Sequence, residues 1–488
     1  MQIFPLIQSG YRGYIVPFSG LFASGSELSL AYSITAPWTL SAWVKTTVTG
    51  AEELILGATG GEVHINANYT LEAEGASSSA VLRDPAAWMH IHVSNNGAFV
   101  NGAEVIAAAS ITTTDLTNAK LFDDFEGYAC EIHLQSGTEA YTSFGVADSN
   151  GQWMPKDTTA VAGEHYIKDP STGVNSGSGS DWTATNVTQS SDSPTDSVSK
   201  GAGDHATWNP LHYGSRTSSV TFSTGNQTIS NSGASADSMV LATLAMDSDL
   251  DIYFEVETAS GASLPAYIGI CKLTDLSFDK SANPYTNGTL TNYGYRSSSG
   301  NLLTDSAGEA GASYGDTWTD GDRIGVRLNA GTLTFYKDGV SQGSAATGLT
   351  GLWFPMFIGG GGTWNATGYF ADDVITSMPT GAVSLATQNF PAPSISDPET
   401  GSFTGNANAD GPFVYLGATP DISETSTINS NNITWGTHAL PTATGFQVIT
   451  SSASYNAAGS NTYSIQTSTA VQGDGPAGRR GQGRTEYA

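Results

Sequence analysis

The sequence predicts an all-β protein built as tandem β-sandwiches. Three observations carry this. Apolar residues alternate with polar ones over short runs, the period of a strand with one buried face. The runs end in turn signals such as Asn96-Gly97, Asn101-Gly102 and Asp338-Gly339, whose residues tolerate the positive φ of a tight hairpin. Only 13% of the 488 residues are charged, while 57 are glycine and 19 proline, so surfaces are built from Ser, Thr, Asn and Gly and long helices are disfavoured.

The length corresponds to roughly two to four domains. The balance of 17 basic against 45 acidic residues, a formal charge of -28, repels a phosphate backbone and an anionic membrane surface. Nucleic acid and membrane are therefore excluded as partners. Cys130 and Cys271 lie far apart, each in a strand-like run, and read as buried thiols rather than a disulfide framework. The opening stretch MQIFPLIQSGYRGYIVPFSGLF lacks a basic n-region and an unbroken apolar core, so it reads as something other than a signal peptide.

Residues 1–24 form an N-terminal arm, since Pro5, Gly10, Gly13 and Pro17 disallow a helix. A first sandwich spans 25–140. In WTLSAWVK, Trp38, Leu40, Ala42 and Val44 share one face, and Thr39, Ser41, Trp43 and Lys45 share the other. Met89, Ile91 and Val93 alternate with Trp88, His90 and His92, and Phe125-Glu126-Gly127-Tyr128 opens a further strand. Residues 141–217 lose the alternation and read as a linker, pinned to its neighbours by Trp153, Trp182 and Trp208. A second sandwich spans 218–378. Its clearest part is a meander in which Ile324, Val326 and Leu328 lead through Ala330-Gly331 to Leu333 and Phe335, then through Asp338-Gly339 toward a run from Leu352 to Ile358. A Pro-rich linker at 379–398, a small β-domain at 399–476 and a basic tail at 477–488 complete the chain. Arg479, Arg480 and Arg484 in that tail are either solvated or paired with an acidic face of a neighbouring subunit.

The first sandwich resembles the laminin G-like, concanavalin A-like jelly roll: TLSAWVK, a tryptophan-led central strand, a strand ending in Asn-Gly and a closing strand at Phe-x-Gly-Tyr occur in that family's order. The second resembles a SPRY domain through LDIYFEVETASG, AYIGICKL, NYGYRSSSGNLL and SYGDTWTDGDRIGVRL, with Ile252 where the family usually has Trp. The linker motifs SFGVADSNGQWMPK, SDWTATNV and SDSPTD, set between these two units, resemble tail fibres and receptor-binding virion proteins of tailed bacteriophages. That resemblance implies a virion protein made in the host cytoplasm. It implies other virion proteins as partners, host surface glycan or protein as ligand, and a homo-oligomer, by family analogy a trimer.

No HExxH or phosphate-cradling loop is present, and no local motif singles out a carboxylate pair, so the chain is expected not to be an enzyme. The rival functions are a purely structural capsid or tail decoration, and a polysaccharide depolymerase. For ligand binding, aromatic faces stack on the C–H faces of sugars. Tyr285, Tyr293, Tyr295 and Tyr314 lie in Gly/Ser/Asn-rich stretches and Trp364 follows a glycine run, which makes them the expected ligand-binding residues. No cofactor is expected. The weaker metal candidates are the pair His90 and His92, and calcium at Asp247, Asp249 and Asp251 or at Asp123, Asp124 and Glu126, none with EF-hand spacing.

Overall fold

The computed structural model describes residues 14–390, apart from 48–51, 83, 148–152, 162, 198–200, 216–219, 235–237, 262–264, 274–289 and 305–310, and adds two short strands at 447–448 and 467–469. Its regular elements, among the described residues, are strands and short 3-10 turns. The expected small C-terminal β-domain and basic tail lie outside the described residues, apart from the antiparallel pair Gln447–Val448 and Thr467–Thr469.

The first sandwich packs two antiparallel sheets. Sheet A runs Ala103–Ile106, Gly97–Val100, Met89–Ser94, Trp38–Thr46, Gly127–Ser136, Ser19–Phe22, Thr188–Ser190. Sheet B runs Thr183–Thr185, Glu27–Ile34, Leu116–Leu121, Glu53–Thr59, Gly61–Ile65, Thr70–Ala73, Ala76–Val81. Period-2 alternation sends Trp38, Leu40, Ala42, Val44, Met89, Ile91 and Val93 into the core between them, as the sequence pattern requires. The hairpin at Asn101-Gly102 has φ of 50° and 78°, the left-handed pair that matches strand twist.

The second sandwich repeats the two-layer plan. Sheet C runs Trp208–Ser215, Ser238–Ala242, Leu352–Gly359, Tyr267–Leu273, Leu290–Arg296, Asn301–Thr304, Ala312–Ser313. Sheet D runs Thr221–Ser223, Thr228–Ala234, Gly362–Tyr369, Asp251–Ser260, Arg323–Asn329, Thr332–Lys337, Val340–Ala346. Ile252, standing where the resembled family has Trp, is wholly buried in the core beside Phe254 and Val256.

The stretch read as a linker is more ordered than its composition suggested. His165–Ile167 and Thr188–Ser190 join sheet A, and Thr183–Thr185 joins sheet B. Trp182 sits in the first core, and Trp208 lies in the first strand and core of the second sandwich. Trp153 instead packs on the outer face of sheet A.

The stretch also carries a charged clamp. Lys45 Nζ donates to Asp192 Oδ2 at 2.7 Å, Asp204 Oδ1 at 2.5 Å and the His205 carbonyl at 3.2 Å, so all three ammonium protons are used. The Lys45 and Asp192 side chains are fully buried. Burial alone lowers the affinity of Lys45 for its proton, but the charges of Asp192 and Asp204 outweigh it and the pKa is raised. Trp88 Nε1 donates to the other oxygen of Asp192 at 2.7 Å. The two sandwiches then meet directly: Tyr128 donates to the Gly225 carbonyl at 3.3 Å, Gln227 donates to the Tyr128 hydroxyl at 3.1 Å, and the Ser191 amide donates to Asp373 at 3.1 Å.

Candidate functional site

Two surfaces present chemistry-bearing side chains. The first is the outer face of sheet A. Its central strand is buried on both faces, from Trp38 through Thr46. The outward residues Ser41, Trp43, His90, His92, Cys130 and His133 are covered by Tyr141, Phe144, Trp153 and Tyr166 from the 141–190 stretch and by Tyr14 and Val16. The His90 and His92 pair is therefore not an open metal site. Trp153 Nε1 donates to His90 Nδ1 at 2.9 Å, which leaves the proton on Nε2, 2.8 Å from the Ser41 hydroxyl. His92 lies among Phe99, Tyr141 and Phe144, and burial depresses its pKa to about 4. His133 stacks on Tyr166 at 4.0 Å and is pushed to about 3, again chiefly by burial. A bulge turns Glu131 to φ 48°, where its carboxylate accepts from Tyr14 at 3.0 Å and Tyr166 at 2.5 Å. Burial raises that carboxyl to about 7, and the two hydroxyl contacts only partly offset it.

The second surface is the open side of the second sandwich, where sheets C and D end in Ala312–Ser313 and Val340–Ala346. Each of these edge strands pairs on one side only among the described strands. The ledge that follows Ser313 is stapled to the opposite sheet. Gln342 Oε1 accepts from the Asp316 amide at 2.9 Å, and Lys337 Nζ donates to the Thr317 carbonyl at 2.9 Å and pairs with Asp322 at 3.1 Å. The hydroxyls of Tyr295 and Tyr314 close the gap from beneath, donating to the carbonyls of Asp316 and Gly343. The outcome is a fixed polar rim with Ser313, Asp316, Thr317, Ser341, Gly343 and Ser344 exposed. Fixed donors and acceptors of this kind suit hydrogen-bonded recognition, because little side-chain freedom is lost on binding.

The expected aromatic ligand residues fall elsewhere than anticipated. NYGYR is a strand, not a loop, so Tyr293 and Tyr295 share its inward face. Tyr295 is fully buried among Tyr314, Trp318 and Phe335, and Trp364 is buried against Phe357 with ring centroids 5.1 Å apart. Tyr293 packs on Trp353, and Tyr314 is half-buried. Neither Tyr295 nor Trp364 has a free ring face: Tyr295 supports the rim through its hydroxyl, and Trp364 packs in the core away from it. Tyr285 lies outside the described residues. Sequence reading passed over Gln342, which holds the rim together; its one signal was a long polar side chain in an otherwise small-residue edge strand, VSQGSAA.

The expected calcium runs are otherwise engaged. Asp251 grips Arg327 through both oxygens at 2.7 and 2.6 Å, and Asp247 accepts from the Asp249 amide at 3.0 Å. Asp123 pairs with Lys120 at 2.9 Å. Among the described residues, the group whose ligand atoms come together is Glu52, Glu62 and His64 on sheet B, within 4.8 Å of one another.

Residues 251–370 match the family model for the SPRY domain. The SPRY domain of human HERC1 is 18% identical, with 33% of this chain and 96% of that chain covered at a TM-score of 0.27. Mouse laminin alpha1 chain domains LG4-5 are 12% identical, with 79% of this chain and 90% of that chain covered at a TM-score of 0.24. The VIP36 exoplasmic/lumenal domain, in its Ca2+/Man3GlcNAc-bound form, is 12% identical, with 36% and 91% covered at a TM-score of 0.23. No curated protein matches the chain.

Proposed function

We propose that this chain is a binding protein, not an enzyme, and that it recognises a glycan or a protein on a cell surface through the rim of its second sandwich. The carrying observation is the rim stapled by Gln342, Tyr314 and Lys337, an open polar ledge held rigid from below. The covered outer face of sheet A supports the same choice, because a ligand cannot reach it without displacing Trp153 and Tyr141. The finer reading is a tail fibre or related adhesin of a tailed phage, assembled in the host cytoplasm into the virion as a homo-oligomer beside other virion proteins. It is supported by the order of the linker motifs between the two sandwiches.

The test is saturable binding of the purified full-length chain to intact bacteria and to arrayed surface glycans, with Gln342→Ala and Asp316→Lys as rim variants. The reading expects binding that both variants weaken by tenfold or more, with the fold kept. Binding untouched by either variant would remove the rim from the account. Absence of binding by a chain found in ordered copies on particles would favour a decoration role, and release of reducing sugar would favour a depolymerase.

A further inference from the structure

The hairpin of sheet B formed by Glu53–Thr59 and Gly61–Ile65 carries a group that the rim has no use for. Alternation turns Val63 and Ile65 into the first core and leaves Glu62 and His64 on the outer face. Glu52, at the start of the hairpin, lies beside them, so two carboxylates and one imidazole offer ligand atoms within 4.8 Å of one another, a spacing that exposed Glu52 closes on binding. Glu52 and Glu62 are exposed, whereas His64 is only 8% exposed.

The imidazole is oriented. His64 Nε2 lies 3.1 Å from Asn66 Oδ1, and the Asn66 amide nitrogen donates to Thr70 at 3.2 Å and to Glu72 at 3.1 Å. Those two donations fix which end of the amide faces the ring, so Nε2 carries the proton and donates. In the neutral ring Nδ1 is then a lone pair. It is buried and no donor reaches it. It faces Glu62 Oε1 at 3.3 Å. Two acceptors held this close repel unless a cation stands between them.

The spacing suits one class of cation. Tetrahedral zinc with nitrogen and oxygen ligands at about 2.0–2.2 Å places neighbouring ligand atoms about 3.4 Å apart. The Nδ1 to Oε1 separation already has that value. A histidine whose other ring nitrogen donates to an oxygen is the usual form of a metal-binding imidazole. Imidazole with carboxylates favours a transition ion over calcium, which prefers six or more oxygens.

We propose that Glu52, Glu62 and His64 form a zinc-class divalent cation site on the outer face of sheet B, with Asn66 as the positioning residue. Three protein ligands leave one coordination position for water or for an oxygen of a bound molecule. The site is distinct from the rim and does not depend on it.

The experiment titrates the EDTA-treated, dialysed full-length chain with zinc chloride by calorimetry at neutral pH, with calcium chloride in a parallel arm. Nitrogen-15 histidine spectra are followed in the same samples. One equivalent of zinc should bind, calcium at the same concentration should not displace it, and the His64 Nδ1 resonance should move to a metal-bound position. Glu62→Gln and Glu52→Gln alter exposed side chains and should each weaken zinc binding by about tenfold or more. His64→Gln should abolish it. The inference is overturned if zinc fails to saturate, if the carboxamide variants bind as well as the parent, or if Nδ1 proves protonated and stays so on zinc addition. That last result would make the pair an imidazolium–carboxylate bridge.

Discussion

Replacing Lys45 by Met removes the charge at the centre of the clamp between the first sandwich and the stretch that covers it. At an effective dielectric constant of about 20, a charge pair at 2.7 Å is worth about 6 kcal/mol, and the 2.5 Å pair slightly more. Those attractions offset the several kcal/mol that burial costs each of three ions, so the intact cluster is close to neutral in net stability. The variant loses the attraction and keeps the desolvated carboxylates. Asp192 is left fully buried with the Trp88 donor and with His205 Nε2 3.6 Å away, and Asp204 is 15% exposed and better able to rehydrate. The cost is about 3 kcal/mol, the lower end of the range for breaking a buried pair. For a folding unit of this size that corresponds to a loss of about 6–12 °C in melting temperature. Urea titration at pH 7, followed by circular dichroism and by tryptophan emission, measures it. Lys45→Met combined with Asp192→Asn and Asp204→Asn should recover more than half of the loss, because no uncompensated charge remains. A single variant that loses less than about 1 kcal/mol would refute the electrostatic account. A triple variant as weak as the single one would assign the loss to packing of the lysine stem instead.

The remaining predictions concern pH, the covered face, and one glycine. Burial holds Glu131 up to about 7, Glu53 to about 8 and Asp196 to about 7, so the folded chain keeps protons that the unfolded chain has released above about 4. Stability due to these groups falls as pH rises toward 8, while His92 and His133, depressed to about 4 and about 3, lower it as pH drops below about 6.5. Between about pH 4.5 and 6.5 the two effects oppose each other, three carboxyls against two imidazoles, so denaturation curves should show stability falling gently with rising pH there and more steeply above about 6.5, and Glu131→Gln should reduce the alkaline loss by about 1–2 kcal/mol. Trp153→Ala uncovers His90 and removes the donor to its Nδ1, so nuclear magnetic resonance should show the depressed His90 pKa rising toward that of a free imidazole, with His92 and His133 still holding it down. Gly269→Ala would set a Cβ 1.9 Å from the Tyr293 carbonyl on the neighbouring strand, and soluble yield and melting temperature should both collapse.

The architecture was legible in the sequence wherever alternation and turn chemistry agreed. The meander from Arg323 to Ala346 folds as its pattern requires, with Ala330 and Asp338 both at positive φ ahead of glycine. The stretch from 141 to 206 was harder to read, because its strands are three residues long and too short to show a period. Its order comes from side chains that meet across long separations, such as Lys45 with Asp192 and Asp204, which no local window contains. The covered face of sheet A was hidden for the same reason. His90 and His92 read as a polar strand face until the covering aromatics are placed over them. Of the expected ligand-binding aromatics, Tyr293 and Tyr295 were misplaced by composition. Gly, Asn and Ser around Tyr293 and Tyr295 suggested a loop, but Gly294 is needed for a different purpose. A Cβ there would press on Tyr267 and Leu303 at 3.1 and 3.4 Å, so the strand stays regular and its two tyrosines turn inward.

The central claim is that the stapled rim of the second sandwich is the binding surface. The measurement that tests it most directly is equilibrium binding of full-length chain to intact bacterial cells, parent against Gln342→Ala, with the melting temperatures of both recorded. The account predicts equal folding and at least tenfold weaker binding by the variant. Equal binding by the two, at saturation and with the same competitor profile, would contradict it.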